Sequence, residues 1–105
     1  MFEQPKTPSI VGSEIEKIKT EIAGWKEYHE SDDPESFFRG YADCLQRKIN
    51  DFEEMLHNMV ESNTIARESA EKIEGENYLN GLNLELAGTE RELRELKELR
   101  GLREF

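Results

Sequence analysis

The stretch LQRKINDFEEMLHNMVESNTIARESAEKI, residues 45–73, decides how this chain is read. Leu45, Ile49, Phe52, Leu56, Met59, Asn63, Ala66, Ala70 and Ile73 stand alternately four and three residues apart. That spacing places a row on one stripe of a helix. One asparagine, Asn63, interrupts the apolar row. A lone Asn in such a seam specifies the register and number of paired helices, so the row predicts helices that self-associate and implies no reaction. The phase persists through Glu61-Ser62-Asn63-Thr64, although serine, asparagine and threonine are poor helix formers that bond to their own backbone. The expectation is one long helix over 34–74, closed by Gly75.

Upstream of this row, Ser31-Asp32-Asp33-Pro34-Glu35 offers a cap, a proline at the first helical position and an acid where the helix dipole favours it. The same helix carries Phe37, Phe38 and Tyr41. Gly40 among these rings costs about 1 kcal/mol against alanine, which predicts close approach of another helix there. Further upstream, Ser13 with Glu16 forms a capping-box pattern. It opens a helix over 13–30 with Ile15, Ile18, Ile22 and Trp25 on one side. Residues 1–12, with Pro5 and Pro8, read as a flexible tail.

Downstream, Gly75-Glu76-Asn77 resets the pattern. A third helix over 77–103 carries Leu79, Leu82, Leu86, Leu93 and Leu96 on one side, out of phase with the preceding row. Asn77, Asn80, Gly81, Asn83 and Gly88 weaken its beginning. The expected fold is all-α, a single helical domain over 13–105. An N-terminal amphipathic helix joins a long helix and a C-terminal helix in a coiled-coil-like hairpin or three-helix bundle, oligomeric and most simply dimeric.

Composition agrees with a shared core. Of 105 residues, 35% are apolar and 36% charged, lean for an isolated globule. Fourteen Lys and Arg against twenty-four Asp and Glu give a net charge of −10. Such a surface repels nucleic acid and anionic membranes and favours basic partners, so direct nucleic-acid binding is not expected. No apolar run approaches spanning length, and Met1–Gly12 lacks a signal-peptide core, so a cytoplasmic setting without membrane contact is expected. Cys44, the single cysteine, reads as a half-buried packing residue rather than a reactive thiol.

The chemistry-bearing types do not assemble into a site. Glu54 and His57 have the Glu-x-x-His spacing of di-iron bundles, but such sites need a second motif and further carboxylates. Both residues lie opposite the Leu45–Met59 stripe. His29 near the end of the first helix suits the helix dipole. No nucleophile–base set, phosphate loop or paired metal motif is present, so neither catalysis nor a cofactor is expected.

Two surfaces remain for partners. Leu84, Leu99 and Leu102 project opposite the main leucine face of the third helix. With Phe37, Phe38 and Tyr41 they are the expected contacts for a partner protein. Asp43, Glu54, Glu61 and Glu68 fall near one line on the outer side of the long helix. The expected function is a non-catalytic, acidic interaction module that self-associates and binds or occludes a partner protein. The alternative is a carboxylate row that imitates a phosphate strand. That would make the chain an inhibitor of a basic nucleic-acid-binding enzyme, of the phage-type anti-defence class (anti-CRISPR or anti-restriction).

Overall fold

A computed structural model describes residues 10–103, with side chains for 10–101. Among these residues 86% lie in three α-helices and none in a strand. Helix α1 spans Ile10–Tyr28, α2 Pro34–Glu61 and α3 Ala70–Arg103. Among the described residues no helix is long and apolar enough to cross a membrane.

The first helix begins earlier than its sequence pattern suggests. Ser13 lies inside α1 and caps nothing, because Val11 holds the first turn down. Val11 is 0% exposed and packs beside Gly75 of α3. Residues 10–12 are therefore helix rather than tail, and residues 1–9 lie outside the described residues. Val11, Ile15, Ile18 and Ile22 then bury one stripe, and half-buried Trp25 extends it.

The start of α2 follows its sequence signals. Asp33 is the N-cap, its carboxylate accepting from the Ser36 amide at 3.4 Å, with Pro34 at the first position. Tyr41, Leu45, Ile49, Phe52, Leu56 and Met59 form its buried stripe. Gly40 does meet another helix. A Cβ there would approach Cζ2 of Trp25 to 2.8 Å, so the glycine makes room for the indole against α2.

The expected long helix is two helices. The chain leaves α2 at Glu61, reverses over 62–69 and enters α3 at Ala70. Asn63 adopts φ 60°, the left-handed conformation that closes many helices and that asparagine tolerates. The amides of Thr64 and Ile65 both reach back to the Met59 carbonyl, at 2.9 and 3.3 Å. Ile65, only 4% exposed, tucks under the reversal into the core. A hydrophobic contact of this kind commonly accompanies a left-handed helix end.

Heptad phase misled here because alanines carried it. Ala66 and Ala70 are exposed, as is Asn63, and Ile73 is 54% exposed. Between Val60 and Ile73 the one large apolar side chain is Ile65, which is out of phase with the row.

The expected break at Gly75–Asn77 is correspondingly absent. Ser69 caps α3, its hydroxyl accepting from the Lys72 amide at 3.1 Å, and the helix runs unbroken through Gly75. Gly75 is a packing glycine. A Cβ there would stand 2.8 Å from Leu56 Cδ2 and 3.3 Å from Val11 Cγ1, so all three helices converge on it. The residues expected to weaken the helix start are absorbed within α3. The Asn83 amide, for example, donates to the Leu79 carbonyl at 3.0 Å.

Cross-helix contacts fix the topology. Val11 lies by Gly75, Lys26 by Glu85, Trp25 by Gly40, and Lys48 pairs with Glu21. Helices α1 and α3 thus run the same way and α2 runs against both. The core of this up-down-up bundle contains Leu45, Phe52, Ile65, Leu82 and Leu86 among others. The molecule is elongated, 66 × 32 × 18 Å. Its second half of α3 continues beyond α1 toward the start of α2, where Arg100 pairs with Glu35 at 2.6 Å.

Candidate functional site

The Leu45–Met59 part of the row is spent inside the chain. Leu45, Ile49, Phe52, Leu56 and Met59 are all buried against α1 and α3, so they line an intramolecular core. The remainder of the row sits on the reversal and on α3. No continuous seam therefore runs over 45–73.

Tyr41, expected as a partner contact, is also a core residue at 4% exposure. Its hydroxyl donates to Glu85 of α3. Lys26 of α1 lies 4.7 Å above its ring and 3.7 Å from the Glu85 carboxylate. This cluster ties the three helices together at one level.

Burial, then the adjacent Glu85 carboxylate, pushes the Tyr41 phenol well above its ordinary value of 10.0; Tyr78 moves the same way, chiefly through burial. A phenol raised in the folded state stabilises the fold fully below the unfolded value, and that contribution disappears as pH rises through the folded one. Stability should therefore fall progressively above about pH 10, the unfolded tyrosine value. In Tyr41→Phe the alkaline slope should be shallower, at a cost of about 1 kcal/mol near neutrality for the lost hydrogen bond. Urea unfolding at a series of pH values measures both.

The acidic line is broken as well. Asp43, Glu54 and Glu61 are exposed on α2, but Glu68 lies in the reversal rather than on that helix. His57 stands 3.0 Å from Glu61, which takes part of the row into a local pair. Glu54 and His57 are both exposed, and no group of three or more metal-ligating side chains occurs among the described residues. Cys44 is half-buried and its thiol is pushed up, mainly by burial.

Two surfaces do stand out. The first is the outer face of α3. Leu84 is 75% exposed and Leu99 56%, and Ile73 falls in the same sector at about 100° per residue. The side chain of Leu102 lies outside the described residues. From Asn77 to Leu84 the sequence, NYLNGLNL, has no charged residue. A Cβ on Gly81 or Gly88 would meet nothing within 4 Å, so bare backbone flanks Leu84 on this side.

The second surface is a groove at the corner where α1 ends and α2 begins. Its volume is about 440 Å³, and Lys26, Glu27, Glu30, Asp32, Pro34, Phe37 and Phe38 line it. Phe37 is held by neighbouring rings, its centroid 5.4 Å from Trp25 and 6.0 Å from Tyr41. Phe38 meets Phe37 edge-on at 5.7 Å. His29 packs on Trp25 at a tilt, with centroids 4.4 Å apart, and contacts Asp32 through Nδ1 at 2.9 Å. The corner is therefore braced beneath an apolar floor.

Of the groove's lining, Phe37 and Phe38 were singled out by the sequence, whereas Glu27, Glu30 and Pro34 were not singled out for this surface. The available signal was the adjacent pair of phenylalanines. Side chains 100° apart cannot both point into one narrow core. No family model, curated protein or solved structure matches this chain.

Proposed function

We propose that the protein is a non-catalytic helical interaction module that self-associates, most simply as a dimer, and binds or occludes a partner protein. The observation that supports this reading is the outer face of α3, where Leu84 stands in water within an uncharged strip. Two copies each carrying −10 repel wherever their carboxylates face one another. The strip Asn77–Gly88, about 17 Å of helix, is free of that repulsion apart from Glu85. Glu85 is turned toward Tyr41 and Lys26.

Antiparallel pairing of α3 with its symmetry mate would seat Leu84 on Leu84, in the isologous manner of two-fold dimers. Gly81 and Gly88 would let the helices approach closely. The interface so placed differs from the Leu45–Met59 stretch, whose large residues are already used in the core. An associating protein is stabilised by mass action. The thermal midpoint should therefore rise with protein concentration in the wild type and stay constant in Leu84→Glu, with unchanged helix content. A wild-type midpoint independent of concentration would contradict self-association.

A further inference from the structure

The groove at the α1–α2 corner gives the partner a chemistry, and this inference rests on reading the protein as a binding module. We propose that the groove receives a basic segment of a partner protein that presents an apolar or aromatic anchor between Lys or Arg residues.

Shape and charge both support this occupant. A volume of about 440 Å³ floored by Pro34, Phe37 and Phe38 takes one or two large side chains and is within the range of ligand-sized sites. The rim is acidic. Residues 26–35, KEYHESDDPE, contain one Lys against five Asp and Glu.

Most of those charges are already engaged. Asp33 caps α2, Asp32 faces His29, and Glu35 holds Arg39 and Arg100. Lys26 directs its ammonium to Glu85 and the Tyr41 ring, on the α3 side. Glu27 and Glu30 are left without an ion-pair or hydrogen-bond partner among the described residues. Two free carboxylates beside an apolar floor complement a cation next to an apolar anchor. The anchor supplies affinity in the desolvated centre, and the carboxylates at the rim supply orientation and encounter rate. A second copy of this chain is a poorer occupant, because its charge of −10 opposes the same carboxylates.

The test uses the full chain and three fluorescein-labelled synthetic peptides. These are Arg-Lys-Leu-Trp-Lys-Arg, its anchorless form Arg-Lys-Gly-Gly-Lys-Arg, and its acidic form Glu-Asp-Leu-Trp-Asp-Glu. Fluorescence anisotropy should show saturable binding of the first alone. Amide shift changes in isotope-labelled protein should centre on residues 26–38. Phe38→Ser should weaken binding roughly tenfold, as loss of a buried aromatic anchor does. The double variant Glu27→Gln, Glu30→Gln, at exposed positions that leave the fold intact, should weaken it by a similar factor and flatten its salt dependence.

Equal binding of the anchorless peptide would overturn the proposal by reducing the effect to general acidity. Shift changes centred elsewhere would overturn it too, as would the absence of saturable binding. None of these failures touches self-association through α3, which is read independently from mass and from the concentration dependence of the midpoint.

Discussion

Phe52→Ala should remove about 3–5 kcal/mol of stability, the range for truncating a fully buried phenylalanine. Phe52 is among the largest fully buried side chains, 2% exposed. It lies near the middle of α2, and its ring meets Tyr78 of α3 edge-on at 5.9 Å. Its neighbours cannot close over the space. Ile49 and Leu56, about one turn away on α2, and Tyr78 on α3 are fixed on regular helices that Gly40 and Gly75 already hold in close contact. Little collapse means that most of the cavity persists, and the cost then tends to the upper end. A domain of this size is held by about 5–15 kcal/mol in total, so the variant should unfold well below the wild type in urea. The effect should appear in dilute solution, where any dimer has dissociated. Phe52 serves a core within one chain, and this distinguishes it from a seam residue shared between chains.

Ile65→Ala should cost about 2–4 kcal/mol, a large effect for a residue in a connection. The reversal over 62–69 carries one buried large side chain, and it is Ile65. Losing it removes apolar burial and also the contact that completes the left-handed closure at Asn63. Without it, the Thr64 and Ile65 amides have less reason to stay on the Met59 carbonyl. Residues 62–69 should then lose hydrogen-exchange protection before the helices do. Chemical denaturation measures the first effect and native-state exchange the second. Ala66→Gly, at an exposed position in the same reversal, should leave both nearly unaffected.

These two residues also mark how far the sequence could be read. The all-helical class, the cap at Asp33, the α2 stripe from Tyr41 to Met59 and the close approach at Gly40 were legible, because each rests on large side chains or stereochemistry that only one arrangement satisfies. The end of α2 was not. Small residues at seam positions imitated phase continuity, while a single isoleucine decided where the chain turned back. Gly75 was misread because a helix-ending glycine and a packing glycine are identical in sequence. Only the proximity of Leu56 and Val11 distinguishes them. Likewise Ser13 and Glu16 form a capping pattern that Val11 overrides by anchoring an earlier turn.

The candidate surfaces divide along the same line. Leu84 and Leu99 were visible as apolar residues on the wrong face of an otherwise regular helix, a pattern that needs only periodicity. The corner groove was partly visible through Phe37 and Phe38. Its acidic rim was not, since Glu27 stands at the end of one helix, Glu30 in the turn after it, and the phenylalanines on the next helix. The carboxylate row over Asp43, Glu54, Glu61 and Glu68 assumed one rigid helix and lost Glu68 when that helix proved to be two. A mimic of a phosphate strand would have to work with the remaining exposed acids of α2. Its binding to a basic enzyme would fall steeply with salt, whereas an apolar contact through Leu84 would respond little.

The proposed pairing of α3 with α3 of a second copy runs through the face that carries Leu84. Light scattering across a concentration series gives its most direct test, applied to the wild type and to Leu84→Glu. The expected result is a wild-type mass of two chains that falls toward one on dilution, and a variant that remains a single chain throughout with the same helical spectrum. A wild type that is a single chain at every concentration would rule out this pairing, as would a variant that forms the same dimer.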